Sequence, residues 1–191
     1  MEGLIGQFAE RLFRPLSVGF LLVVLAPEVA ALTAMQSQRA VVALARQTEQ
    51  PDVLSAPIEA IGALLLLFLV GHGVGVLGQA AFQIAYWMAE RTAWFLNPAV
   101  KDTSFFALVS DFKGRQAEFV RERYDYIRFQ VDLLCGIAGA GLAALVVTSW
   151  MNDASSPALI QLGVFAVAVC AAVFLALHFK YQLGQVTKHE A

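Results

Sequence analysis

The sequence predicts an all-α integral membrane protein with four transmembrane helices in a single membrane domain, 1–191. Of its 191 residues, 59% are hydrophobic and only 15% are charged, and the mean hydropathy is +0.66. A soluble domain of this size is ordinarily far less apolar. The apolar residues are concentrated in four stretches at about 16–35, 60–89, 129–151 and 158–178. Each is about as long as the roughly 20 residues that a helix needs to cross a bilayer.

An amphipathic stretch precedes the first span. Within residues 3–14 the apolar side chains share one face of a helix, and Pro15 interrupts the pattern. We therefore predict an N-terminal interfacial helix that lies on the membrane, with a frayed tail as the alternative. The apolar run at 16–35 is long and contains Pro27-Glu28, so we interpret it as a retained span and not as a signal peptide.

The second apolar stretch, 60–89, is the longest, and its only readily titrating side chain is His72. As a helix it would reach ~45 Å, which exceeds the ~30 Å hydrocarbon core. Its second half is rich in glycine, and small residues at four-residue spacing let membrane helices approach closely. The glycines to which we assign helix packing are Gly71, Gly75, Gly78 and Gly136.

A polar stripe follows the same helix. On a period of 3.6 residues His72, Gln79 and Gln83 fall on one broad face, which runs toward one membrane surface. Glu28 in the first span and His72 in the second lie at similar depth, near the midplane. A charge there costs ~2.5–3.5 kcal/mol or more, so each side chain should face protein or water. Three interpretations of a Glu28–His72 pair stay open, namely a structural pair, a pore gate and a proton relay.

An acidic residue, Asp132, lies near one end of the third span, four residues after Arg128. It is either the local helical partner of that arginine or a charge at a pore mouth that favours cations. The candidate pore or gate residues are therefore Glu28, His72, Gln79, Gln83 and Asp132.

The segment 90–128 is the only sizeable soluble part, and we predict a cytoplasmic amphipathic helical segment there. Asn97-Pro98 is a turn signal. Apolar residues then recur at helical spacing over 105–120, with a break near residue 113, and the second half should continue without interruption into the third span.

Charged residues in 90–128 nearly balance, with seven positive against six negative. Most have an opposite partner three or four residues away, which is typical of a solvated, self-paired helix. Arginines interleaved with tyrosines also suit a nucleotide or single-stranded nucleic acid, because arginine contacts phosphates and tyrosine stacks on bases. The candidate ligand-binding residues are Lys113, Arg115, Arg121, Arg123, Tyr124 and Arg128.

The basic residues predict the orientation. With four spans, eleven of the thirteen Lys and Arg lie on the side of the termini and of 90–128, while Arg39 and Arg46 lie on the other side. The positive-inside rule therefore predicts that both termini are cytoplasmic.

Motifs of soluble enzymes lack their structural context in this chain. A GxGxxG pattern at 73–78 lies within a membrane helix, where no βαβ unit can surround it, so we interpret it as packing glycines. Cys135 and Cys170 lie in apolar stretches without metal-ligand spacing. We expect no enzyme activity, no cofactor and no metal.

Four spans, the Gly71 to Gln79 stretch and a cytoplasmic pre-helix containing Arg115, Tyr124 and Arg128 together resemble the Hailong effectors. These are small bacterial four-span membrane effectors of anti-phage defence. The resemblance implies an oligomeric ion channel of the bacterial inner membrane whose opening depolarises the cell. It also implies a nucleic-acid oligomer that holds the channel shut at its cytoplasmic mouth.

We expect a homo-oligomeric ring in the lipid bilayer, with a tetramer favoured. Four helices of one chain would pack solid, whereas second helices from several copies could line a conducting path. One alternative is an accessory or scaffold subunit of a larger membrane complex. Another is a small proton-coupled carrier that uses Glu28 and His72.

Overall fold

A computed structural model describes residues 2–26, 55–111, 116–150 and 158–189, and the regular structure in these ranges is entirely helical. Side chains are described for 12–26, 60–108, 120–150 and 158–186. The elements in chain order are α1 (Glu2–Leu25), α2 (Ser55–Thr92), α3 (Pro98–Lys101), a 3₁₀ helix (Phe105–Asp111), α4 (Gln116–Trp150) and α5 (Ala158–His189).

Three helices are long and apolar enough to cross a membrane, and they lie at Ala60–Thr92, Val120–Trp150 and Ala158–Val186. The chain is thus all-helical in its described residues and compatible with a multi-pass membrane protein. The first predicted span, 16–35, is described only as far as residue 26, and the apolar part of α1, Leu12–Leu25, is shorter than the other three.

Helix α1 differs from the prediction at Pro15. Instead of an interfacial helix that ends there, a single helix runs through the proline. An interior proline removes one backbone donor and weakens a helix locally. Here the Pro15 carbonyl lies against Gly71 of α2, at a contact that a side chain on Gly71 would overlap. Packing of α1 on α2 therefore outweighs the local preference for a break.

The four long helices alternate in direction along the chain. Along α1, Pro15 lies against Gly71 and Gly19 lies against Leu67, so α1 and α2 run in opposite directions. Arg14 contacts Asp132 on α4, four residues before the contact of Val18 with Gly136, so α1 and α4 run in the same direction.

Helix α5 runs opposite to α4. Gln161 near its start contacts Thr148 near the end of α4, while Phe179 near its end contacts Tyr124 near the start of α4. The starts of α1 and α4 and the ends of α2 and α5 therefore share one end of the bundle. We call this the linker end, because α3 and the 3₁₀ helix also lie there, packed against α5 and α4 respectively.

Helix α4 is the centre of the bundle. It packs against α1, α2 and α5, and 56% of its most apolar stretch is buried, against 11% for α2 and 22% for α5. Its inward side is built from small residues, including the fully buried Ala138, Ala140 and Ala144. Small side chains let three neighbours approach one helix at once.

Glycines make the closest helix contacts. A side chain on Gly78 of α2 would overlap the backbone of Cys135, and one on Gly139 of α4 would overlap the backbone of Val74. Gly71 and Gly136 face α1, where a side chain on Gly71 would overlap the backbone of Pro15 and one on Gly136 would overlap the side chain of Val18. Gly75 does not share the packing role that we predicted for it: a Cβ there would meet no atom within 4 Å, because this position borders an open cleft.

Aromatic residues close the linker end. Phe82 and Tyr86 of α2 stack at 5.4 Å between ring centroids, and Phe105 of the 3₁₀ helix contacts both rings edge-on. Tyr124 of α4 and Phe179 of α5 complete the cluster. This buried contact holds the segment between α2 and α4 against the bundle.

The segment after α2 follows the prediction in part. Asn97 caps α3, and its side chain accepts a hydrogen bond from the Ala99 amide at 3.1 Å. Residues 105–111 form a 3₁₀ helix where the spacing suggested an α-helix, and the predicted break near residue 113 lies outside the described residues. From Gln116 onward α4 continues without interruption into its apolar part, as predicted.

Candidate functional site

A cleft of about 350 Å³ opens on the side of the bundle between α1, α2 and α4. Arg14 from α1, His72 and Gln79 from α2 and Asp132 from α4 bring the polar groups to its wall. We call it the α1–α2 cleft. Its other walls are apolar side chains and glycines, among them Gly75.

Asp132 is the most buried ionisable group of the cleft, with 7% of its surface exposed. The Arg14 guanidinium donates a hydrogen bond to Asp132 Oδ2 at 2.9 Å. The Gln79 amide donates to Oδ1 at 3.5 Å. Arg128, the local helical partner that we considered, has its Nε farther away, at 4.0 Å. A carboxylate inside an apolar bundle needs such partners, and here they come from α1, α2 and α4 together.

The role of Arg14 was missed in our sequence reasoning. It lies 118 residues before Asp132, so no periodicity or local spacing connects the two. The available signal was its position as the last charged residue before the first apolar stretch. A basic residue there and an acidic residue at the start of another span are placed at similar depth when the two helices run in parallel.

The predicted polar stripe lies largely on the uncovered surface of α2. His72 is exposed, contributes to the wall of the α1–α2 cleft and stacks on Phe68 with ring centroids 6.4 Å apart. Gln83 is exposed and lies outside the cleft, whereas Gln79 is half-buried beside Asp132. Glu28, the predicted partner of His72, lies outside the described residues.

Two of the predicted ligand-binding residues, Arg121 and Arg123, lie exposed on the first turns of α4. Arg123 sits 5.9 Å from the centroid of the Tyr126 ring. Lys113 and Arg115 lie outside the described residues.

Tyr124 does not share this surface. Only 2% of it is exposed, and its ring packs between Phe105 and Phe179 at 5.6 and 6.1 Å. Our prediction of a ligand-stacking role for Tyr124 is therefore wrong for this conformation, because apolar packing at the linker end turns it inward. Arg128 is exposed and lies 5.6 Å from the centroid of the Phe106 ring.

A second ionic cluster, which the sequence analysis did not single out, fastens the linker end. Lys180 of α5 is fully buried, and its ammonium donates to Glu90 of α2, to the Thr103 carbonyl and, at 3.2 Å, to the Lys101 carbonyl. All three donors of the ammonium are thus used. The cluster ties α5 to the end of α2 and to the segment that follows α3. The signal available in the sequence was that Glu90 and Lys180 each follow a long apolar run.

A second groove, of about 400 Å³, lies on α5 at the linker end. Its walls are Phe95, Phe174, Leu177, His178 and Tyr181, and the His178 ring is within 3.0 Å of the Gln182 amide. The groove is aromatic and carries no formal charge when His178 is neutral.

Among the residues that the structure describes, no group of three or more His, Cys, Asp or Glu side chains could hold a metal ion. Cys135 is buried, Cys170 is exposed, and both are free thiols. Comparisons with protein-family models, curated proteins and solved structures found no match, so they do not bear on the resemblance to Hailong effectors.

Proposed function

We propose that the chain is one subunit of an oligomeric membrane channel whose conducting path runs between copies. The observation that carries this proposal is the location of polar side chains on α2. His72 and Gln83 are exposed and point away from the chain's own core, whereas Gln79 and Glu90 of the same helix have polar partners on α4 and α5.

Exposed aromatic residues support a definite position in the bilayer. At the linker end, Trp87, Trp94 and Tyr181 are exposed, and at the other end Trp150 and Leu159 are exposed. Along α5 the distance from Leu159 to Tyr181 is about 33 Å, close to the thickness of the hydrocarbon core. Tryptophan and tyrosine are enriched at both surfaces of a bilayer.

In this position His72 and Gln83 both lie within the hydrocarbon layer. An uncovered imidazole or carboxamide has no hydrogen-bond partner in lipid, which is costly. A neighbouring copy packed around the same stripe would replace lipid by polar groups and water. Closed rings of identical subunits are the common way in which a membrane protein repeats one polar face around an axis.

The charges support an orientation with the linker end in the cytoplasm. Side chains described at the opposite end, in 20–26, 60–66, 142–150 and 158–165, include no charged residue. The described basic residues lie at the linker end, and they are Arg14, Arg91, Lys101, Arg121, Arg123, Arg128 and Lys180. This is the distribution that the positive-inside rule associates with the cytoplasmic side. Arg121, Arg123 and Arg128 are the exposed members of the predicted ligand-binding set, and a phosphate-bearing regulator would bind to them.

The test is salt flux through liposomes that contain the purified full-length chain. Replacing His72 and Gln83 together by leucine removes the polar stripe without touching the Arg14–Asp132 pair, so we expect flux to fall to the level of empty liposomes. The matched control is His178→Leu with Gln182→Leu, the same chemical change on the exposed surface of α5, which should leave flux unchanged. Equal flux from wild type and from the His72/Gln83 variant would contradict the proposal.

A second candidate function is that of an accessory subunit in a larger membrane complex. The exposed aromatic groove on α5, with Trp94 89% exposed beside Phe95, favours it because such a surface suits a protein partner. Native mass spectrometry in mild detergent separates the two. A ring of copies supports the channel, and a monomer supports the accessory subunit.

A further inference from the structure

We infer that the cytoplasmic mouth of this channel selects small anions such as chloride. The inference rests on the proposed channel function and adds the class of ion to it. Anion selectivity is the opposite of what Asp132 would give as a charge that favours cations at a pore mouth. That role was one of the two interpretations of Asp132 that the sequence left open.

The exposed charge beside the α1–α2 cleft is positive. Asp132 is 7% exposed, while the side chains of Arg14 and Arg128 are 28% and 50% exposed. Both carboxylate oxygens are engaged, Oδ2 by the arginines and Oδ1 by Gln79. An ion that approaches the mouth therefore meets guanidinium groups before it meets the carboxylate, and the three charges sum to +1.

Neighbouring charges do not cancel this excess. Glu90 is held by the buried Lys180 in the second ionic cluster, so that pair is neutral. Arg91 is exposed and stacks on Trp87 with its guanidinium carbon 3.8 Å from the ring centroid. The described charges nearest the mouth of the cleft are Arg14, Arg91, Arg128 and Lys180 against Glu90, Asp125 and Asp132. Each subunit thus contributes an excess of one positive charge.

Repetition around a ring multiplies that excess. Rings of arginine or lysine favour anions in a pore, as rings of carboxylates favour cations. The other polar groups of the proposed path, His72 when neutral, Gln79 and Gln83, carry no charge to oppose it. Because Arg128 lies at the membrane surface and is half exposed, salt screens it only in part.

The experiment measures the reversal potential of the full-length channel in a planar bilayer under a KCl gradient. We expect the wild type to reverse toward the chloride equilibrium potential. Arg128→Gln should lower the chloride-to-potassium permeability ratio about threefold or more, and Arg128→Glu should lower it further. Lys101→Gln, which removes a positive charge from α3, an element that packs against α5 and does not line the cleft, is the matched control and should leave the ratio unchanged.

A double variant separates charge from shape. Arg14→Gln with Asp132→Asn removes a positive and a negative charge together, so the net charge of the mouth and its selectivity should be retained. A wild-type reversal toward the potassium potential overturns the inference and leaves the channel intact. A bilayer that shows no conductance at all overturns the proposed function instead.

Discussion

At the residue scale, the Arg14–Asp132 pair shows how one buried charge can organise three helices. The carboxylate is 7% exposed and its nearest partner is a guanidinium at 2.9 Å. Breaking a buried pair from one side leaves a desolvated charge, which costs far more than the pair itself contributes. The stability of the protein should therefore depend more strongly on Arg14, the nearer partner of Asp132, than on Arg128.

We expect Arg14→Met to destabilise the protein by about 2–3 kcal/mol, since Asp132 would keep only the weak contact from Gln79 and the longer one from Arg128. Thermal unfolding of the purified variant in detergent, followed by circular dichroism, measures the loss. Adding Asp132→Asn should restore much of it, because the orphaned charge is then gone.

The control for this prediction is Arg128→Met. Arg128 is 50% exposed and 4.0 Å from the carboxylate, so its loss should change stability by under ~1 kcal/mol. Similar losses for the two arginine variants would show that Asp132 does not depend on α1 in the way that the structure indicates.

At the scale of elements, glycines decide how closely α2 approaches its neighbours. Gly78 and Gly139 bring α2 and α4 into backbone contact, while Gly71 does the same for α2 and α1. Gly73, two residues after Gly71 and five before Gly78, lies on the outer surface, and a Cβ there would meet no atom within 4 Å. The same residue type thus has two roles on one helix.

Gly78→Ala should cost ~1–3 kcal/mol or prevent folding, because the new methyl group must push α4 away from α2. Gly73→Ala, the matched change on the open surface, should alter stability by less than about 1 kcal/mol. Thermal unfolding of both variants in the same detergent decides the question. A Gly78→Ala protein as stable as wild type would mean that the two helices do not pack backbone to backbone.

At the scale of the whole molecule, the exposed aromatic residues at the two ends of the bundle, Trp87, Trp94 and Tyr181 at one and Trp150 at the other, predict its depth in the bilayer. Cys170 is exposed on α5 about halfway between Leu159 and Tyr181, or ~16 Å from each. Cys135 is 1% exposed and should not compete for reagents in the folded protein. In the bilayer position proposed above, Cys170 would lie at the centre of the membrane and would serve as a natural probe of depth.

A fluorophore attached to Cys170 in liposomes should be quenched most strongly by lipids brominated near the ends of their acyl chains. The comparison variant carries Cys170→Ser and Gln182→Cys, which moves the label to the linker end. There we expect quenching by lipids brominated close to the headgroup. The same quenching profile at both sites would rule out the bilayer position that the exposed aromatic residues indicate.

Composition and periodicity alone determined the helical class, the long apolar stretches and the continuous helix that begins at Gln116 and runs on through the apolar stretch 129–150. They did so because apolar length and turn residues such as Asn97-Pro98 act locally, within one element. The prediction of a break at Pro15 is wrong because the contact there is not local. Packing against Gly71 of another helix outweighs the preference of proline to end a helix.

Only the tertiary structure decided which faces meet. The pairing of Asp132 with Arg14, the burial of Tyr124, the Lys180–Glu90 contact and the open position of Gly75 all depend on the rotation of each helix about its axis and on its vertical register. Those two quantities are set by the sum of packing contacts along entire helix pairs. No single stretch of sequence contains that sum, which is why the polar residues could be named in advance but their partners could not.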